Sequence, residues 1–378
     1  MYKEGSVSRL RLAIVGTGHL GRIHAQLAAG LDAIQLVAVV DSDPTACAQV
    51  AAKTGAQPFN DCRELFGQVD AAVIATPTQS HAQVARQLMQ GGLHLLVEKP
   101  LAASLSEANE MVSTARRKQL VLQVGHVERF NPGFAALGHK ISDPKFIEAR
   151  RCSTYTFRST DIGVVYDLMI HDIDVVLSLV QSPLVRAEAL GISVLGDQED
   201  MVSARLVFES GCVANLTASR VSYTPERTMQ IITPTCAATI DFATRKSILV
   251  DPSSDVLNRT FDANTLSTSQ KENLRDNLFV ELLAKRDLPT LDVNAIEQEQ
   301  LDFAQAIRTG SSPQVTGSAG RDAVAVAERI LEQVAQHSWD GNQGTRRGPL
   351  AMPISPGTSP MADHWSDDDT VIIHRKAG

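Results

Sequence analysis

The sequence predicts an α/β protein: an N-terminal doubly wound parallel sheet, then a C-terminal α+β domain with an open antiparallel sheet. Three observations predict it. Between residues 10 and about 125, five apolar runs ("LRLAIV", "IQLVAVVD", "VDAAVIATP", "LHLLVEKP", "LVLQVG") are separated by amphipathic, helix-like stretches, as expected for strands buried on both faces and wound with helices. Three closely spaced glycines follow the first run. After about residue 145 the runs alternate polar and apolar residues between turn signals such as "ESG" and "TPT", the texture of antiparallel strands.

Taken in order, residues 1–128 form the first domain. Residues 129–338 form the second, with strands read at "KFIEARRCSTYTF", "VRAEALGISVL", "MVSARLVFES", "CVANLTASRV", "RTMQIIT" and "AATIDFA". Its one long early helix is read at 163–181, and two amphipathic helices at 294–308 and 319–336. The segment "LSTSQKENLRDNLFVELL" is so polar that it reads as a loop over the cleft or over a subunit interface. Residues 339–378, rich in Gly, Pro and Ser and ending in a "SDDD" run, hold too little apolar material to order themselves and are expected to be disordered.

Composition narrows the function. The 378 residues include 43 acidic and 35 basic ones, interspersed, for a net charge of -8, which argues against a nucleic acid or an anionic membrane as the main partner. Five scattered cysteines without a C-x-x-C pair predict neither a zinc site nor a disulfide framework, and fit a reducing cytoplasm. The first apolar stretch is too short for a signal-peptide core, so a cytoplasmic protein is expected.

In "AIVGTGHLGRIHA", Gly16 permits a tight turn, Gly18 lets the backbone approach a pyrophosphate, and Gly21 lets the helix pack close to the strand. The phosphate would sit on the N-terminus of the helix, near His19 and Leu20, where unpaired N–H groups and the helix dipole favour an anion. This is the fingerprint of a Rossmann domain. Asp41 ends the second run 20 residues beyond Gly21, where a carboxylate can accept from both adenosine ribose hydroxyls and repel a 2′-phosphate. The expected cofactor is therefore NAD rather than NADP, although an Asp opening the turn "DSDP" has a local use as well.

The run "LLVEKPLA" ends in Glu98, Lys99 and Pro100. Together with "IATPTQSHA" (Thr76, Pro77, His81) and "QVGHVERFNP" (from Gln123), it resembles the glucose-fructose oxidoreductase / inositol dehydrogenase family (Gfo/Idh/MocA). The resemblance covers about residues 10 to 336. It implies oxidation or reduction of a secondary alcohol of a sugar or polyol with NAD(H) or NADP(H). It also implies a catalytic set of Lys99, Asp167 and His171, cofactor contacts from Thr76, Pro77, His81, Glu98 and Gln123, and a homo-oligomer formed through the open sheet.

The residues support such chemistry on their own. Removing a hydride from an alcohol carbon requires the hydroxyl proton to leave with it, and His171, with an ordinary pKa of about 6.5, suits that proton. At roughly 100° per residue, Asp167, His171, Asp174 and Ser178 share one stripe of the helix. Lys99 can stabilise alkoxide charge or take the proton itself if burial lowers its pKa, and the sequence leaves that choice open. Asp172 lies on another face among apolar residues, so it should be partly buried and need a donor. A metal held by Asp167 and His171 lacks a third ligand at a recognisable spacing, so no metal is expected.

The string with Arg129 and Asn131, and "LTASRVSYTPERTMQI" with Arg220 and Arg227, are similar to the UDP-N-acetylglucosamine 3-dehydrogenases of the family. That similarity implies a nucleotide-sugar substrate whose pyrophosphate Arg220 and Arg227 meet. The alternatives are an inositol or simple-sugar dehydrogenase, and a dinucleotide-binding sensor without turnover.

Overall fold

Each apolar run of the first domain is a strand, and one further short strand joins them. The computed structural model describes residues 9–157, 162–340 and 345–352. The first domain runs β1 (Leu10–Val15), α1 (His19–Gly30), β2 (Ile34–Val40), α2 (Pro44–Thr54), β3 (Gln57–Phe59), β4 (Ala71–Ile74), α3 (Thr78–Gln90), β5 (His94–Glu98), α4 (Leu105–Arg117) and β6 (Leu122–Gly125). The six strands pair in parallel in the order β3-β2-β1-β4-β5-β6. Strand order reverses between β1 and β4, which places the crevice for a ligand at their carboxyl ends. The sequence did not mark β3, which is three residues long and half-exposed to exposed along its length.

The second domain continues with α5 (Pro132–Leu137), β7 (Phe146–Cys152), α6 (Ile170–Val180), β8 (Leu184–Ile192), β9 (Met201–Phe208), β10 (Val213–Ser219), β11 (Glu226–Ile232), β12 (Ala237–Asp241), β13 (Lys246–Pro252), α7 (Ser254–Leu257), α8 (Thr268–Glu281), β14 (Leu283–Leu288), α9 (Ala295–Thr309) and α10 (Gly317–Gln336). The sheet order is β14-β13-β12-β11-β7-β10-β9-β8. Every pair is antiparallel except β7 with β10. Alternating burial along β9 and β11 leaves one face open, while α6 and α10 contact the sheet and each other.

Four departures from the sequence reading have local causes. The helix read from residue 163 opens as a π-helical turn, Val165–Met169, before α6 begins. Its start is pinned by Glu199, whose backbone carbonyl accepts from Val164 N–H and whose Oε1 accepts from Val165 N–H. The segment read as a loop is the helix α8: a Ser267/Gln270 capping box closes its N-terminus, yet no residue of it is buried. Strands β13 and β14 lie outside the runs read as strands. In the tail read as disordered, residues 345–352 are held in place. Trp339 Nε1 donates to Gly348 O at 3.0 Å, and Ser193 N–H donates to Pro349 O at 3.1 Å. The "SDDD" run lies outside the described residues.

The two sheets do not have separate cores. Phe303 and Ala304 of α9 join Leu12, Ile14, Val39 and Val73 in one cluster on the first sheet. On the other side α10 seats against β6, where a Cβ on Gly320 would stand 2.5 Å from a methyl carbon of Val124. Among the described residues no helix is long and apolar enough to cross a membrane.

Candidate active site

The glycine loop has the turn and the close helix approach read from the spacing of Gly16 and Gly21. Gly16 has φ +93°, and a Cβ there would lie 2.6 Å from Ala75 O. A Cβ on Gly21 would lie 1.8 Å from Gly16 O, so only glycine lets α1 come this close to the turn. Around Gly18, at the N-cap of α1, a Cβ would meet nothing within 4 Å. That space opens on a cavity of about 370 Å³ lined by Gly16, Gly18, Asp41, Thr76 and Pro77, with Ser42, Asn60 and Ser80 also contributing. His19 and Leu20 are exposed in the first turn of α1 beside it. These residues fit a dinucleotide: an anion-favouring helix end, room for a pyrophosphate, and a carboxylate at the end of β2.

Asp41 is built into this cradle. Its Oδ2 accepts from Thr17 N–H at 2.6 Å and from Thr17 Oγ1 at 2.7 Å, and its Oδ1 accepts from Asp43 N–H at 2.9 Å. Burial works against its charge, but the N–H groups of Asp43 and Thr17 and nearby hydroxyls outweigh it and hold the carboxyl below the ordinary range.

Across the cleft, Lys99 and Asp167 meet. Lys99 Nζ donates to Asp167 O at 2.6 Å and lies 3.6 Å from Asp167 Oδ1. Asp167 thus engages Lys99, whereas Nδ1 of His171 has no hydrogen-bond partner among the described residues. Burial pushes Lys99 below the ordinary lysine range, against the raising effect of Asp167 and Glu98. Burial also pushes His171 well below 6.5, reinforced by the positive charges of Lys99 and Arg151.

The stripe holding His171 and Asp174 is no solvated face. Asp174 is 2 % exposed and lies 3.6 Å from Arg129 NH1, and the His171 ring meets His126 edge-on at 6.5 Å. Asp172 is buried on another side and finds the donor it requires in Arg151. That guanidinium gives Nε and NH2 to the Asp172 carboxylate at 2.8 to 3.1 Å and NH1 to Glu128 at 2.7 Å. Arg151 is a site residue that the sequence reading did not select, whereas His126 and Glu128 stand in the string "QVGHVERFNP" read as facing the substrate cleft. The need of Asp172 for a partner was the signal for Arg151, which stands in the strand "FIEARRC".

Several expected contacts take other roles. Asn131 is buried, caps α5 through Gly133 N–H, and donates to Glu128 and to Phe242 O, so it holds the fold rather than a substrate. The Arg220 guanidinium is buried against Asp200 at 2.7 Å and donates to Ile162 O, so it offers no open fork to a pyrophosphate. His81 joins Thr76 O and Pro100 O from beneath, each at 2.9 Å. Gln123 donates to Glu299 O and Glu98 pairs with His24, and neither lines the cradle. Arg227 is exposed on β11 directly opposite Arg151 on β7.

A dinucleotide cradle at the switch point of a parallel sheet, faced by titratable groups from a second domain, belongs to an NAD(P)-dependent oxidoreductase. Residues 10–126 match the model of the oxidoreductase family with an NAD-binding Rossmann fold, and residues 141–236 match the GFO/IDH/MocA C-terminal domain. The chain belongs to the Gfo/Idh/MocA oxidoreductase family. It is 35 % identical over 325 residues to the UDP-N-acetylglucosamine 3-dehydrogenase of Acidithiobacillus ferrooxidans, covering 85 % of this chain and 96 % of that one. A solved structure of that enzyme superimposes with a TM-score of 0.76 at 32 % identity, over 87 % of this chain and 98 % of that one. An inositol 2-dehydrogenase of Rhizobium meliloti is 28 % identical over 228 residues, covering 56 % of this chain and 69 % of that protein. Levoglucosan dehydrogenase in complex with NADH shares the fold, with a TM-score of 0.73 at 19 % identity over 87 % of this chain and 97 % of that one.

Proposed function

We propose that the chain oxidises a secondary hydroxyl of a sugar to a ketone with NAD, and that its substrate is UDP-N-acetylglucosamine, oxidised at the 3-hydroxyl. One observation carries the reading: buried polar atoms without partners gather on one side of the cleft. They are both ring nitrogens of His126, Nδ1 of His171, Oδ2 of Asp174 and Nε of Arg129. An unsatisfied buried group costs about 1–3 kcal/mol, and the hydroxyls of a sugar offer partners to the half-buried His171 and Arg129, behind which His126 and Asp174 stand. Arg227 presents an exposed guanidinium at the same end of the sheet, suited to a diphosphate. The 35 % identity to a UDP-N-acetylglucosamine 3-dehydrogenase supports the substrate.

NAD bound in the cradle supplies the hydride acceptor. The chain must then handle the hydroxyl proton, and charge decides where it goes. A protonated His171 would face Lys99, Arg151 and Arg227, whereas a protonated Lys99 faces Asp167 and Glu98, each with a larger effect than the opposing charge of Arg151. Lys99 therefore takes the proton, and neutral His171 orients the hydroxyl. Asp41 at the end of β2 supports NAD over NADP, since a 2′-phosphate there would meet an anion. Association of copies through the open sheet face belongs to the same reading; Ile232, at the end of β11, is 42 % exposed. Sedimentation of the purified chain tests it, with a monomer as the contrary outcome.

The deciding assay supplies NAD and UDP-N-acetylglucosamine with a carbonyl trap and follows the absorbance of reduced cofactor. No turnover under trapping, with turnover on myo-inositol, would replace the substrate with a polyol.

A further inference from the structure

Directly before Lys99, the Glu98 side chain points into the first domain. Its Oε1 lies 2.7 Å from Nε2 of His24 on α1, and its Oε2 accepts Lys99 N–H at 3.3 Å. The Gln300 amide nitrogen donates to His24 O at 3.1 Å, a partner that only accepts, which fixes the amide orientation. The same nitrogen therefore donates to Nδ1 of His24 at 2.9 Å, and Nε2 carries the proton given to Glu98. Beside Gln300, Glu299 completes the group. One ligand-capable atom each from His24, Glu98 and Glu299 lie within 4.8 Å of one another, all three residues are buried, and Glu299 is 1 % exposed. Its Oε1 has no hydrogen-bond partner among the described residues.

Two carboxylates this close in a dry interior cannot both be ionised, so a proton or a cation must sit between them. A metal ion would have to displace the His24–Glu98 hydrogen bond, since both ring nitrogens are engaged. A proton requires no rearrangement. We infer that Glu299 is a positioning residue that carries one buried proton against Glu98, leaving Glu98 as the single anion that holds the Lys99 backbone.

The surroundings agree. The charged or titratable groups facing Glu299 are Glu98 at the end of β5, His24 on α1 and Asp302 further along α9, and the Gln123 amide donates to the main-chain carbonyl of Glu299. Burial first, then the charges of Glu98 and Asp302, push the Glu299 carboxyl well above the ordinary range. Burial also opposes the charge of Glu98, but His24 and Lys99 outweigh it and keep that carboxyl low. The bearing on turnover rests on the role proposed for Lys99; the proton does not.

The test uses the full chain without substrate or cofactor. Wild-type Glu299 keeps its proton when folded and loses it when unfolded, so above an unfolded carboxyl pKa of about 4.3 stability falls as pH rises. Glu299→Gln does not titrate. The folding equilibrium of the variant should gain on the wild type by up to about tenfold per pH unit from roughly pH 5 up to the raised folded pKa of Glu299. The infrared carbonyl absorption of protonated carboxyls at neutral pH should contain one band in the wild type that the variant lacks; Asp172, Glu199 and Asp302, also raised by burial, are common to both proteins. A stability gap independent of pH, with no such band, overturns the inference. So does a divalent metal found by elemental analysis in equimolar amount after dialysis. If Glu299→Gln does not fold, Glu299→Asp takes its place in the infrared titration: a protonated-carboxyl band that persists at neutral pH and changes frequency with the substitution supports the proton, and a spectrum unchanged by it refutes it.

Discussion

Lys99 and Asp167 are joined across the cleft by a 2.6 Å hydrogen bond from the lysine Nζ to the aspartate's main-chain carbonyl. The lysine is thereby fixed by an atom that no side-chain substitution at residue 167 removes. Lys99→Ala should lower kcat by about 100-fold to 10,000-fold, the usual range for an acid–base group, with NAD binding retained in a fluorescence titration. Asp167→Asn should cost less. Equal losses would place the weight on the Asp167 carboxylate instead.

Turnover should rise with pH through the depressed pKa of Lys99, because the neutral amine is the proton acceptor. The apparent pKa of kcat should lie below the ordinary lysine value of about 10.4, as burial dictates. A pH-independent kcat from acid to alkaline pH would contradict this.

His126 and His171 are both held below 6.5, burial being the first cause in each. Below an unfolded histidine pKa of about 6.5 the unfolded chain binds protons that the folded chain refuses, so stability must fall as pH drops through that value toward the folded pKa values. Each histidine contributes up to about 1.4 kcal/mol per pH unit. Melting His126→Asn and His171→Asn across this window should show a shallower acid slope in each.

Arg151 holds two buried carboxylates. Arg151→Met should destabilise the chain by about 3–5 kcal/mol, since Glu128 and Asp172 would be left without their cation. Urea unfolding measures it, and a loss below about 1 kcal/mol would mean that both acids find other donors.

Asp41→Ala should raise the NADP/NAD ratio of kcat/KM by removing a charge that repels the 2′-phosphate. An unchanged ratio would reduce Asp41 to a residue that ties Thr17 and Asp43 into the loop.

Much of this site can be read from residue order because its information is local. The spacing of Gly16, Gly18 and Gly21 states a backbone geometry, and the apolar runs state burial on two faces. Asp172, polar in an apolar setting, announced a missing partner. What could not be read was long-range: Arg151 meets Asp172 only because β7 packs under α6, and Arg220, just after β10, is consumed by Asp200, just before β9. Local exceptions also escaped. A π turn has no sequence period of its own, and α8 forms without an apolar stripe because its capping box closes one end.

The packing of α9 and α10 against the first sheet limits how this chain can be cut. The cofactor half owes part of the cover on each side to helices that begin about 170 and 190 residues after its last strand, so a ribosome releasing residues 1–128 exposes an unfinished surface. Cofactor binding should therefore fail in that fragment and return when residues 294–338 are supplied by a suitable linker.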